Sequence, residues 1–137
     1  MQSVIFDTNV LLDLFVFNDF RAIHLKAALQ SKKICTLATP KTLEEFADVI
    51  SRPLFALDEL TQADILRQWN LLATTIDDQS LSPAPWHCQD PDDQVFVDLA
   101  YSNKPCTLVS KDNQVLKLAS RAAKEQVLIT ADYSLAL

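Results

Sequence analysis

The chain has 137 residues, 49% of them hydrophobic, and a formal net charge of −6. That length fits one ordinary domain, expected here over residues 1–137, with enough apolar residues to close a core without staples. The acidic balance argues against holding nucleic acid by charge alone, so action on a polyanion needs a local device such as a metal ion, and the zero glycine count excludes a glycine-rich phosphate loop of Walker or Rossmann type.

Along the chain, Gln2–Phe6 reads as a short buried strand. Residues 7–17 follow as a helix with Val10, Leu11, Leu14 and Phe15 on an apolar stripe. Asn18 or Asp19 caps a second helix, with Phe20, Ile23 and Ala27 spaced along one face. "KICTLAT" (33–39) is a second strand. Pro40 and Thr42 open a helix that runs to about Ile50 and ends at Arg52-Pro53. "LTQADILRQWNLLATTI" (60–76) gives the clearest helical pattern, with Ile65, Leu66, Trp69, Leu72, Ala73 and Ile76 in register. Residues 77–93 form the only long loop, polar and with three prolines. A helix begins near Asp92 and reaches about Tyr101, "CTLVS" (106–110) is a strand, 112–123 a helix, and "VLIT" (127–130) a last strand.

No apolar run approaches the length of a membrane span, and no basic stretch precedes an apolar signal region, so the expected setting is cytoplasmic with no membrane partner. Cys35, Cys88 and Cys106 are dispersed and odd in number, which fits reduced thiols mostly in the core rather than a disulfide framework or a zinc knuckle. Without glycine, turns must rely on Asn, Asp, Ser and Pro.

Alternating strands and helices predict a three-layer α/β/α fold around a mostly parallel sheet of four to five strands. In such sheets ligands sit beyond the carboxyl ends of the strands, where strand order reverses. Asp7 ends the first strand, and Asp112 lies just past the third. Thr39 ends the second, with Glu44 and Glu45 one turn into the next helix, and Asp93 begins another helix. Each acid has a bland reading: Asp7 and Asp112 as helix caps, Asp90, Asp92 and Asp93 as a solvated turn, Glu44 and Glu45 as helix-dipole partners. Together those readings leave one shared edge as a coincidence. Clustered carboxylates repel unless a cation compensates them, and an oxygen site without His or Cys suits Mg²⁺ or Mn²⁺. His24 reads as a surface or core-edge residue. His87, beside Cys88, lacks partners at zinc spacing. Trp69 falls on a core stripe, whereas Trp86 either covers the core or stacks on a base.

Taken in order, these segments resemble the PIN-domain ribonucleases, in particular the VapC-like toxins of toxin–antitoxin pairs. "VIFDTNVLL" is similar to the family's opening strand and implies Asp7 as the first metal ligand, with Asn9 and Thr8 as supporting polar groups. "TPKTLEEFADVISRPLF" resembles the second acidic helix and selects Glu45 over Glu44. "DPDDQVFVDLA" resembles the third segment and selects Asp93. "TLVSKDNQVL" resembles the fourth, with Asp112 as the acid, Ser110 where Thr is common, and Lys111 where Gly is frequent. The resemblance implies a Mg²⁺- or Mn²⁺-dependent endoribonuclease, an RNA substrate, an antitoxin partner and a homodimer. The apolar "LLDLFVF" and "RPLFAL" segments also favour self-association. Lys41, Arg52 and Lys111, near the same edge, are candidate RNA-backbone contacts.

Two alternatives belong to other classes. An inactive PIN-like binding module would have no use for the four acids. An aspartyl-phosphate phosphatase would need a second Asp two residues after the first, where this chain has Asn9.

Overall fold

The computed structural model describes residues 2–137. Five strands, β1 (Gln2–Phe6), β2 (Ile34–Ala38), β3 (Ala73–Thr75), β4 (Cys106–Val109) and β5 (Val127–Thr130), form one all-parallel sheet in the order β3-β2-β1-β4-β5. Among the described residues seven α-helices accompany it: α1 (Thr8–Phe15), α2 (Ile23–Gln30), α3 (Pro40–Ile50), α4 (Glu59–Leu72), α5 (Gln94–Ser102), α6 (Asn113–Leu116) and α7 (Ala119–Ala123).

Side-chain alternation along β1 separates two cores. Val4 and Phe6 join α1, α2, α3 and α4 on one face around Trp69, Phe46 and Ile50. Ile5 joins α5, α6 and α7 on the other, with Phe96, Leu99 and Leu108. The arrangement is the expected three-layer fold. Trp86 covers the second core, buried and edge-on to Tyr101 at 5.4 Å. Cys88 and Cys106 are buried and Cys35 half-buried, all as free thiols. Among the described residues no helix is long and apolar enough to cross a membrane.

Four local expectations change. The face of α2 is not the one marked by Phe20, Ile23 and Ala27, all of which are exposed. Ala22, Leu25, Ala28 and Leu29 pack inward instead, because a 3-10 turn at Phe20–Ala22 rotates the start of the helix. The helical pattern over 60–76 stops at Leu72, since Ala73–Thr75 pairs alongside Thr36–Ala38 as an edge strand. The span 112–123 divides into α6 and α7. Val115, Leu118 and Ala122 nevertheless all point into one core, so their spacing reads as continuous. The left-handed turn positions fall on Lys32, Ala56 and Gln126 as well as Asn18, not on Asn, Asp and Ser alone. At the end of α2, Lys32 N–H reaches Leu29 O and Lys33 N–H reaches Ala28 O, a Schellman closure that ordinarily takes glycine.

Strand order also locates the site. The chain builds outward from β1 to β2 and β3, then returns to lay β4 on the other side of β1. The reversal falls between β1 and β4, so the segments leaving those two strands meet in the crevice at their carboxyl ends.

Candidate active site

Phe6 and Val109 are register partners, and one step further Asp7 N–H donates to Val109 O at 3.0 Å. This brings the exits of β1 and β4 together. Asp7 is 3% exposed, yet its carboxylate makes no capping bond to α1. Instead Oδ2 accepts the Ser110 hydroxyl at 2.6 Å. The capping explanation therefore fails for Asp7. Asp112 does cap, accepting Gln114 N–H at 2.8 Å through Oδ1, while its own N–H donates to Ser110 Oγ at 3.0 Å.

Asp93 arrives from the long loop. Asp90 caps a 3-10 turn (Pro91–Asp93) by accepting Asp92 N–H, and that turn feeds α5. The Asp93 side chain caps nothing. Carboxylate oxygens of Asp7, Asp93 and Asp112 lie within 4.8 Å of one another.

Among the described residues no cationic side chain pairs with these three acids. Asp93 is pushed up to about 7, first by burial, then by contact with the Asp112 carboxylate and by the charge of Asp7. Burial likewise raises Asp7, although the Ser110 hydrogen bond opposes it. A set of oxygen donors spanning little more than the ~4 Å across a Mg²⁺ coordination shell fits a hard divalent cation. Such an ion would remove the repulsion.

Glu45 lies outside that trio but is tied to it. Thr8, the residue after Asp7, donates its hydroxyl to Glu45 Oε2 at 2.7 Å. Glu45 is half-buried and its pKa is raised, by burial first, with the Asp7 charge adding to the shift. Neighbouring Glu44 is exposed. Helix α3 is fixed in place by a reciprocal cap in which Thr39 and Thr42 each accept the other's N–H.

Beside Glu45 opens a groove of ≈570 Å³, in whose wall Lys41 and Arg52 stand with Asp48, Asp78, Asp92 and Asp98. Arg52 pairs with Asp48 at 3.2 Å. Acids outnumber bases, so the groove is not a basic track. Asn9 is exposed and makes no side-chain hydrogen bond among the described residues. Lys111, expected as a backbone contact, has its ammonium on Asp13 Oδ2 at 2.8 Å. A buried carboxylate in need of a counter-charge outcompetes solvent for that lysine. His24 and His87 are exposed and take no part in the cluster.

Two supporting residues escaped the sequence reading. Gln94 accepts Cys88 N–H at 2.6 Å and donates to Trp86 O and Asp98 Oδ1, pinning the loop that delivers Asp93. Asp13 is buried within α1. Its signal was a carboxylate inside the apolar run "LLDLF".

Residues 3–114 match the PIN domain. No curated protein and no solved structure matches the chain. The matched region reaches from β1 through β4 and includes Asp7, Glu45, Asp93 and Asp112. With well over half of its length matched, the chain belongs to the PIN domain family.

Proposed function

We propose that this chain is a metal-dependent endoribonuclease in which Asp7, Asp93, Asp112 and Glu45 hold Mg²⁺ or Mn²⁺. The PIN domain suggests a nuclease-type function. The observation that carries the finer reading is the trio of converging carboxylates, one of them pushed up to about 7 by burial and by its acidic neighbours. When bound, the cation supplies a water of lowered pKa and offsets charge on the scissile phosphate. Asp7 and Asp112 are held at fixed spacing by the Ser110 hydroxyl, and Thr8 orients Glu45 at the rim. Because the groove is acidic, substrate binding as well as cleavage depends on the ion. Lys41 and Arg52 are the candidate backbone contacts, setting affinity rather than sequence choice.

The biological role we infer is the toxin half of a toxin–antitoxin pair, acting as a homodimer. Leu11, Leu12, Leu14 and Phe15 are consumed by the chain's own core. Of the "LLDLFVF" and "RPLFAL" segments, the apolar surface left for self-association is Phe17, 57% exposed and packed on Phe55, with Leu54, 87% exposed. Sedimentation that shows only monomer at tens of micromolar (an order-of-magnitude range) would remove the dimer.

The deciding experiment for the enzyme is cleavage of structured and single-stranded RNAs with and without Mn²⁺, by wild type and Asp7→Asn. The amide still accepts the Ser110 hydrogen bond, so the fold is retained. Cleavage should fall by more than the roughly 10–100-fold that outer-shell changes cost, because a neutral oxygen holds a hard cation weakly. Cleavage that survives both chelator and the substitution would exclude the metal-nuclease reading. An inert wild type would favour a binding module.

A further inference from the structure

We propose that the Asp13–Lys111 pair, its carboxylate buried and its lysine at the surface, is a positioning device for the metal-binding acids, fastening the loop that carries Ser110 and Asp112 to the helix that begins at Asp7. The inference rests on the reading that Asp7, Asp93 and Asp112 hold a divalent cation.

Asp13 lies on α1 with its side chain 3% exposed. Its Oδ2 accepts Lys111 Nζ at 2.8 Å and the Tyr133 hydroxyl, and Arg21 Nη2 stands 3.9 Å away. Lys111 sits between Ser110, which donates to Asp7, and Asp112, which belongs to the acidic trio. The loop is thus tied to one rigid helix at two points, about 9 Å apart along its axis. Ser110 itself is fixed, by its N–H on Thr130 O at 3.0 Å and its hydroxyl on Asp7, but these ties hold only the start of the loop and leave the stretch from Lys111 to Asp112 free to pivot. A second tie at Lys111 removes that freedom and so fixes where Asp112 meets Asp7 and Asp93. Tyr133 links the same carboxylate to the turn after β5, so the anchor itself is held from two sides.

Stability alone is a weak reason for such a pair, because solvent screens an ion pair whose lysine is exposed, and apolar replacement of a buried charge together with its partner is often neutral. A directional contact supplies spacing, which apolar replacements do not.

The test is the Mn²⁺ dissociation constant of the full chain, read from the free-ion EPR signal, alongside metal-free thermal unfolding. In the triple variant Asp13→Leu/Lys111→Met/Tyr133→Phe both charges go together, and the buried Tyr133 hydroxyl, which bonds Asp13, is not left without a partner. Unfolding should shift little, while Mn²⁺ binds about 10–100-fold more weakly, the usual cost of losing an outer-shell partner. Lys111→Arg alone, which keeps a charged donor to Asp13, should retain most of the wild-type affinity. If that variant does not fold, Lys111→Ala serves, since Tyr133 and Arg21 still face Asp13. Variants that bind Mn²⁺ as tightly as wild type would overturn the inference and leave the metal site standing. A wild type that binds no Mn²⁺ would overturn the metal reading itself, and this inference with it.

Discussion

The Ser110 hydroxyl donates to Asp7 Oδ2 at 2.6 Å across 103 positions of sequence, and its oxygen accepts the Asp112 N–H. One side chain thereby spaces two of the clustered carboxylates. It also opposes the burial that raises Asp7. Ser110→Ala should weaken Mn²⁺ binding about 10–100-fold and cost about 1 kcal/mol of stability through the lost hydrogen bonds. Ser110→Thr keeps the hydroxyl and should stay near wild type. Metal titration of the pair checks this, and equal affinities would show that the hydroxyl is not needed.

Thr8 does for Glu45 what Ser110 does for Asp7, through a 2.7 Å hydrogen bond. Thr8→Val keeps the shape and removes the donor. Glu45, half-buried and already raised, would then be raised further and lose its orientation. We expect RNA cleavage to fall about 10–100-fold with the fold intact, and Thr8→Ser to retain activity. Steady-state kinetics on one RNA substrate distinguishes the two variants.

The cluster predicts a pH dependence of definite sign. Asp93 is raised to about 7, and Asp7 and Glu45 are raised as well. A raised acid binds more protons folded than unfolded. Its contribution to stability is complete below the unfolded value of about 4 and is lost as pH climbs through about 7. These groups therefore weaken the metal-free protein across that window. A divalent cation must displace the same protons, so the rise in Tm produced by Mn²⁺ should grow from about pH 5 to about pH 8. Thermal scans with and without Mn²⁺ test this, and a metal effect that is flat with pH would place the ion elsewhere.

Lys41 and Arg52 line the groove beside Glu45. If each meets a phosphate, Lys41→Ala and Arg52→Ala should each raise KM, leave kcat nearly unchanged and reduce the slope of log affinity against log salt by about one. Unaltered salt slopes would mean that RNA takes another path.

Lys32 holds a left-handed conformation, φ 59°, at the end of α2 and next to the amino end of β2, the edge opposite the acids. Lys32→Gly relieves a steric cost of roughly 1–2 kcal/mol against an entropic cost of roughly 0.5–1 kcal/mol for the freer unfolded chain. A net gain of about 0.5–1 kcal/mol is expected in denaturant unfolding, with cleavage unaffected. A loss of stability would mean that the lysine side chain contributes at that corner.

Local pattern carried much of this protein. The bounds of β1 and β5, the start of α3 at Pro40 and the core role of Trp69 follow from apolar runs, helix-start residues and helical spacing, because those signals depend on near neighbours. The placement of Asp7 and Asp112 at strand exits was legible for the same reason. Pairing between distant segments was not. Ala73–Thr75 continues a helical apolar pattern, and only an open edge beside Thr36–Ala38 makes it a strand. Phe20 and Ile23 carry more apolar surface than Ala22 and Ala28, yet the turn before α2 decides which set faces inward. Whether Asp7 capped a helix or joined a cluster depended on β4 lying beside β1, which sets Ser110 against it. Lys111 was drawn to Asp13 by a burial that exists only once α1 and the C-terminal turn have packed around that carboxylate.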